Sequence, residues 1–578
     1  MDLPHFEASR IGIASGLREY AGQSERNCVN LYSHYSRGCD VLKSFYEGPE
    51  MEYDNTIYLI DQKKRKRGNN MNLTIIICIT LFLLTFLMLA ASGGSSAEGP
   101  AASVSAQAPG QAPPVDHLVT TKHSIAVRGR SLEYSATAGT MVVDTAGKKC
   151  EIFFSAYTVE EDGSASDRPV TFVFNGGPGS SSEWMHMGFL GPRRIAFDKD
   201  GQVQQFPAPI EDNEYTVLDI TDLVFIDPVG TGYSKPAEGA ELSDFIGYEN
   251  DNRTVGDFIR LYVNRYGRWS SPKYLAGESY GTIRAIGLSK YLSDRYSLGL
   301  NGIMLISSVN DFTTMMENTP SDYTYALYLP TYAADAWYHG RLAPKYQEMK
   351  LEDFLEEVRA FAGGEYLSAL FAGRRLDDGR RDEVATRIAA YSGLDKQEIL
   401  KANLRVLYWD FCEKLLSDRR LVVGRIDGRY TGPLTGGSMA DGDADPSAAA
   451  LGDVFGMAVN RYINDELGFH TDRPYEPLSL EVNEKWTYPA SETSGFCQEK
   501  IIYESMSKNS FLKIWVLCGY YDMATPFFAA EWTYDHVFLN KEYEKNLTFT
   551  YYPSGHMIYM HEPSLAKFRE QAQKWYKL

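Results

Sequence analysis

Cysteine is scarce in this chain and never clustered. Only 7 of 578 residues are cysteine, and none form a Cys-x-x-Cys pair, which argues against a zinc site. Basic charge is also in short supply: 57 lysines and arginines stand against 76 acids, a net charge of −19. A chain with that balance and no dense basic stripe through its bulk cannot grip a phosphate backbone, so nucleic acid is excluded as a partner. No internal repeat is present. Histidines number 10, few enough to be weighed one at a time as catalytic bases. What is plentiful is core material, with 44% hydrophobic and 13% aromatic residues. The length fits several average domains or one large enzyme domain with an insertion.

One stretch breaks the acidic balance. Lys63-Lys64-Arg65-Lys66-Arg67 precedes LTIIICITLFLLTFLMLAA, residues 73–91, an uncharged apolar run of 19 residues. It reads either as a signal peptide, with Ala90-Ala91-Ser92 or Ser95-Ser96-Ala97 at the cleavage site, or as an anchor, since about 20 apolar residues cross a bilayer. Under both readings the basic cluster stays cytoplasmic and the rest is exported. The expected location is extracytoplasmic, periplasmic or secreted, with membrane contact only through 73–91 if that segment is not cleaved. Residues 1–70 have no periodic pattern and are not expected to form a domain; either Met71 is the true start, or they are a short cytoplasmic tail. Residues 71–97 form the targeting segment, and 98–114 an Ala/Pro/Ser-rich linker unable to bury a core. In an oxidising compartment Cys150, Cys412, Cys497 and Cys518 allow one or two disulfides, with three connectivities for four cysteines.

The folded part is expected from Val115. Up to about Phe312, short apolar runs alternate with helical patterns: PVTFVFNGG (169–177), DLVFIDPVG (222–230), KYLAGES (273–279) and GIMLISSV (302–309). Such alternation predicts an α/β fold with a mostly parallel sheet. Residues 311–475 change texture to amphipathic helical spacing, and strand texture returns in FLKIWVLCGYYD (511–522) and NLTFTYYPSGH (546–556). The segments 115–310 and 476–578 thus form the two parts of one α/β core, and 311–475 a mainly helical insertion that would lie as a lid over the sheet's carboxyl edge. Asp441, Asp443 and Asp445 resemble the start of a calcium loop, but Pro446 stands where that loop needs Gly and Gly452 where it needs Glu. No metal is expected.

Gly277-Glu278-Ser279-Tyr280-Gly281 lies between a strand-like run and a helical pattern. A Gly-x-Ser-x-Gly there fits a nucleophile elbow, in which the glycines permit a strained turn and the helix N-terminus supplies backbone donors. Serine needs a base and an acid to orient that base, and the chain order in such folds is Ser, Asp or Glu, His. Five histidines follow Ser279. His339 and His470 fall in the insertion or at its edge, and His536 in a helical segment. His556 follows a strand and the turn Ser554-Gly555, where a catalytic loop histidine belongs, and His561 is held in reserve. Asp522 ends the preceding strand; a helix N-cap near Pro526 is its structural alternative. After VTFVF, the turn NGGPGSSS (175–182) has glycines whose N–H groups could form an oxyanion hole.

FNGGPGSSS, FIDPVGTGYS, AGESYGT, CGYYDMATP and PSGHM, in this order, resemble the serine carboxypeptidase family, peptidase family S10, and in particular its bacterial-type members. The resemblance covers roughly 115–578. It implies an α/β-hydrolase fold without cofactors. It further implies Ser279 as nucleophile, His556 as general base and acid, and Asp522 as the residue orienting the histidine. The N–H groups of Gly177 and Tyr280 would form the oxyanion hole, and Asn175, Gly176 and Glu278 would bind the substrate's terminal carboxylate. For that last role Glu278 must be protonated, which predicts an acidic optimum on peptides. Two positions depart from the family pattern. Ser180 replaces the commoner cysteine, and Phe189 stands where a second acid often precedes LGP.

The function expected is an exported carboxypeptidase acting on peptides with a free C-terminus through an acyl-enzyme. An esterase or acyltransferase with the same triad is the first alternative, and a catalytically silent binding protein the second. The aromatic-rich segment 321–340 is a candidate pocket wall, core being its structural alternative. Asn252 and Asn546 are sequons.

Overall fold

The computed structural model describes residues 114–160, 167–315, 322–434, 445–489 and 495–577. The basic cluster, the apolar run 73–91, Met71 and nearly all of the linker lie outside the described residues, as do Asp441 and Asp443. No helix among the described residues is long and apolar enough to cross a membrane.

All six apolar runs become parallel strands of one sheet. Its principal strands are β1 (His117–Val127), β2 (Arg130–Thr145), β3 (Lys148–Val159), β4 (Val170–Phe174), β5 (Asp222–Ile226), β6 (Lys273–Glu278), β7 (Gly302–Ile306), β8 (Lys513–Gly519) and β9 (Leu547–Tyr552). They lie in the order β1-β2-β3-β5-β4-β6-β7-β8-β9. From β5 through β9 every pairing is parallel, and the fully buried stretches VTFVF, DLVFI and GIMLI read as continuous apolar runs because both faces of the sheet are covered.

The antiparallel β1-β2-β3 meander was not anticipated as a unit. Its first strand alternates exposed and covered positions around Lys122 and His123, so it has no continuous apolar run to mark it.

Eight of the helices matter here: α1 (Tyr248–Arg265), α2 (Tyr280–Tyr296), α3 (Tyr323–Tyr338), α4 (Leu351–Phe361), α5 (Asp378–Ser392), α6 (Pro446–Arg461), α7 (Phe527–Asp535) and α8 (Glu562–Trp575). Alternate strand residues feed two cores. Phe172, Val224, Leu275, Ile303 and Val516 pack with α1 and α2, and this core runs on without a break into α3, α4 and α5. Val173, Phe225, Ala276, Met304 and Leu517 face α6 and α8. Full burial of such a side chain is worth roughly 1.5–3 kcal/mol.

Helix α3 corrects the pocket-wall reading of 321–340. Tyr332 stacks on Phe411 and Tyr328 on Tyr408, and both are core residues. Cys150, Cys412 and Cys518 are buried and Cys497 is exposed, and none of the disulfides that the sequence allows joins two of these four in this structure. Asn252 is buried, its side-chain amide donating to Tyr248 O at 2.7 Å; that sequon is closed to modification in the folded chain.

The sheet order fixes where a site can form. From β4 the chain moves to β5 on one side, and from β6 to β7 on the other. The chain therefore leaves β4 and β6 in opposite directions, and their carboxyl ends mark the switch point at which open α/β sheets place their sites.

Candidate active site

Ser279 follows β6 directly and has φ +59° and ψ −128°, a conformation rare for any residue with a side chain. Two backbone bonds hold it: its N–H donates to Ile306 O at 3.0 Å, and its carbonyl accepts from Thr282 N–H at 2.8 Å. The flanking glycines do a different job from the one expected. Neither has positive φ. A Cβ on Gly277 would lie 2.2 Å from Gly281 O, and one on Gly281 would lie 2.9 Å from the carbonyl oxygens of Phe174 and Asn175. They are small so that β6, α2 and the loop after β4 can touch, while the serine itself carries the strain.

Asp522 lies beyond the end of β8 and is fully buried. Its Oδ1 accepts from the N–H groups of Ala524 (2.8 Å) and Thr525 (2.9 Å), and its Oδ2 from the Thr525 hydroxyl (2.6 Å). The same Oδ2 is 2.8 Å from Nδ1 of His556, in the loop after β9. Pro526 takes the N-cap position of α7, so the helix-cap alternative for Asp522 fails. With Nδ1 engaged by a carboxylate, the imidazole presents Nε2 as its remaining base. Burial disfavours charge on His556, but the charge and hydrogen bond of Asp522 and the nearby Glu278 outweigh it and hold its pKa above the ordinary value.

The loop after β4 supplies the facing wall. Asn175 is fixed three ways: its Nδ2 donates to Glu278 Oε1 at 3.0 Å, its Oδ1 accepts from Met185 N–H at 3.0 Å, and its carbonyl accepts from Arg284 at 2.7 Å. Gly176 presses on the elbow, since a Cβ there would lie 2.4 Å from Tyr280 N. Gly177, exposed and at φ +99°, comes next. Among the described residues no protein acceptor takes the N–H of Gly177 or Tyr280, so both remain available to a ligand.

Glu278 is buried, and burial pushes its carboxyl up to about 7 against the opposing influence of His556, Tyr559 and Asn175. Tyr559 was missed at the level of sequence, although it lies just beyond PSGHM; its hydroxyl faces the same carboxyl. Phe189 stacks on the Tyr559 ring with centroids 5.0 Å apart, so an aromatic shelf occupies the place of a second acid. Another acid missed from sequence is Glu183. It is fully buried, neither of its oxygens has a hydrogen-bond partner among the described residues, and burial followed by the charge of Asp227 pushes it up to about 8. Nothing in the local pattern SSSEWMH marks it, because burial of a polar turn is a tertiary property.

A carboxyl raised on folding contributes stability that is complete below its unfolded pKa and is lost as the pH climbs through the folded value. For Glu183 that window runs from 4.5 to about 8, and the loss at its upper end is on the order of 5 kcal/mol. The urea midpoint is therefore expected to fall between pH 5 and pH 8.5, and Glu183→Gln to remove its share of that fall, the raised Glu278 and Asp227 carboxyls contributing the rest in the same direction. An unchanged difference between the two pH values in the variant would rule Glu183 out as its source.

The remaining candidates are not brought to the site. His561 occupies the N-cap position of α8, with Nδ1 2.7 Å from Ser564 Oγ. His536 lies beside Trp532 at the end of α7, and exposed His470 is near Asn464. His339 reaches Gly428 O at 2.7 Å. Asp445 is the N-cap of α6, accepting from Ser447 N–H at 2.9 Å. Among the described residues no group of acids, histidines or cysteines could hold a metal.

A strained serine between strand and helix, with an Asp–His pair two and three strands along the same parallel sheet, defines an α/β-hydrolase. Within that class the chain belongs to the serine carboxypeptidase family, peptidase S10, whose family model matches residues 130–566. Over 176 residues it is 30% identical to the pheromone-processing carboxypeptidase KEX1 of Yarrowia lipolytica, a stretch amounting to 30% of this chain and 26% of that relative. The match thus spans about a quarter of the relative's length. Among solved structures it resembles Kex1(delta)p, a prohormone-processing carboxypeptidase from Saccharomyces cerevisiae, with 16% identity, a TM-score of 0.50 and coverage of 76% of this chain and 91% of that one. It also matches the juvenile hormone epoxide hydrolase of the silkworm Bombyx mori, with 12% identity, a TM-score of 0.30 and coverage of 76% and 78%. The likeness to the yeast structure is one of fold.

Proposed function

We propose that this protein is an exported serine-type carboxypeptidase that removes C-terminal residues from peptides through an acyl-enzyme. Ser279 Oγ attacks the scissile carbonyl carbon while His556 Nε2 takes its proton, and Asp522 stabilises the imidazolium that forms. The oxyanion of the tetrahedral intermediate is met by the N–H groups of Gly177 and Tyr280. His556 returns the proton to the departing amine. Water, deprotonated by the same histidine, then cleaves the acyl-serine ester and frees Ser279.

The observation that carries the exopeptidase reading is the buried carboxyl of Glu278, adjoining Ser279 and held by Asn175. Protonated, it donates a hydrogen bond to a substrate carboxylate; ionised, it repels one. Gly176 lets the two walls of this site approach. Export rests on the basic cluster and the apolar run 73–91, whether cleaved or kept as an anchor.

The test is hydrolysis of N-blocked dipeptides beside their C-terminal amides and esters from pH 4 to 8. The free acids are expected to be cleaved at least about tenfold better than the amides at acid pH. Cleavage of esters alone would replace the exopeptidase reading with that of an esterase or acyltransferase.

A further inference from the structure

The sequence Gly424-Arg-Ile-Asp-Gly-Arg429 belongs to no motif used above, yet it grips both loops that carry the Asp–His pair. On the His556 side, His556 N–H donates to Ile426 O at 2.8 Å. The preceding Gly555 N–H donates to Asp427 Oδ2 at 3.1 Å, and Arg429 Nη2 to Ser554 Oγ at 3.2 Å. On the Asp522 side, Met523 N–H donates to Arg425 O at 3.1 Å, and Gly428 N–H to Tyr521 O at 2.9 Å. Three consecutive residues ending in the histidine, and both neighbours of the aspartate, are thus bonded to one five-residue turn about 100 residues away in sequence.

The turn is itself rigidly supported. Asp427 and Arg429 form a buried two-pronged ion pair, with Nη2 2.6 Å from Oδ2 and Nε 2.9 Å from Oδ1. Asp445, at the head of α6, accepts from the N–H groups of Arg425 and Ile426, both at 3.2 Å. Two glycines permit the fit: a Cβ on Gly428 would lie 2.0 Å from Asp335 Oδ1, and one on Gly555 2.4 Å from the Asp427 side chain. A buried ion pair of this kind gives little net stability against an apolar replacement. What it does supply is a fixed position for the groups bonded to it.

We propose that Arg425–Arg429 is the positioning element of the general base, with Asp427 and Arg429 as positioning residues that set the place of His556 relative to Asp522. This rests on the reading of Ser279, Asp522 and His556 as the catalytic groups. Backbone bonds alone leave the His556 loop free to tilt about them; the Asp427 and Arg429 side chains remove that freedom. An error of about 1 Å in such a base costs on the order of a hundredfold in rate without touching the substrate's own contacts.

The experiment compares Arg429→Lys, Arg429→Gln and the neutral pair Asp427→Asn/Arg429→Gln with the wild type and with Ser279→Ala and His556→Ala, all in the full chain. For each variant kcat and KM on a blocked peptide and the melting temperature are measured. Arg429→Gln alone leaves the Asp427 carboxylate buried without its cation and is expected to lower the melting temperature. The neutral pair relieves that defect. It should melt near the wild type yet retain a kcat about 10- to 100-fold low with KM within about twofold, and Arg429→Lys should recover only part of the loss. Wild-type kcat in a folded neutral pair overturns the proposal. If neither neutral variant folds, Ser554→Ala, which deletes the Arg429 contact and a longer 3.4 Å bond to Met557 O while leaving the Asp427–Arg429 pair intact, decides: a kcat reduced about threefold or more at constant KM supports the proposal, and an unchanged kcat overturns it. Activity surviving in Ser279→Ala or His556→Ala would instead sink the catalytic reading beneath it.

Discussion

Replacing Ser279 with alanine is expected to cut kcat on a blocked peptide by roughly 10⁴- to 10⁶-fold and to abolish labelling by a fluorophosphonate. The fold should survive, because the strain at φ +59° is a backbone cost that alanine bears as well as serine does, and the two bonds that hold the residue are main-chain bonds. The melting temperature is therefore expected to stay close to that of the wild type. Asp522→Asn should approach the same loss in rate, about 10⁴-fold, for a different reason. An amide can donate to Nδ1, and doing so turns the imidazole into the tautomer that lacks a free base at Nε2. Labelling of a folded Ser279→Ala protein at the wild-type rate would place the nucleophile elsewhere.

The second large effect is on pH dependence. Glu278, at about 7, and His556, raised above its ordinary value, lie close enough to influence each other, so they titrate as a pair. In the proposed mechanism the competent form has the proton on Glu278 and none on His556 Nε2. On the acid side, protonation of His556 removes the base. On the alkaline side, ionisation of Glu278 sets a carboxylate against the substrate's own. For peptides with a free C-terminus, kcat/KM should fall about tenfold per pH unit above pH 7, while amides and esters, which carry no terminal charge, should show no such limb.

Glu278→Gln keeps a donor but cannot ionise, so its alkaline limb should vanish. Because the negative charge of Glu278 helps to raise the His556 pKa, the acid limb of the variant should also move to lower pH. An alkaline limb that persists in Glu278→Gln would show that another group binds the carboxylate. Protonated Glu183, buried beside the Asn175 loop, would then be the first residue to examine.

Much of the candidate site can be read in the sequence because each residue of the proposed triad closely follows a strand. A buried parallel strand is a short apolar run, and the turn that follows it is marked by glycine, proline or serine, so Ser279, Asp522 and His556 stand out by position as well as by type. Glu278 and Asn175 adjoin the same turns, but the roles proposed for them come from the resemblance to the family and not from position. Tyr559 and Glu183 are not legible, since their polarity matters only once Phe189 and the loop around Asp227 have buried them. The aromatics of 321–340 mislead in the opposite sense: a row of tyrosines suggests a binding wall, but α3 turns most of it into the core shared with the sheet.

The antiparallel meander β1–β3 and the Arg425–Arg429 turn mark the same boundary between what a sequence determines and what only tertiary structure decides. Strand identity and the helical texture between β7 and β8 follow from local patterns of two- and 3.6-residue periodicity, which any stretch of chain displays by itself. What faces the histidine loop does not follow from any local pattern. Ile426, Asp427 and Arg429 read as an ordinary polar turn. They meet Ser554, Gly555 and His556 only because the sheet order puts β8 beside β9 and the insertion returns across their carboxyl ends. Periodicity records the burial of each element on its own, whereas the partners of a turn depend on the path of the whole chain.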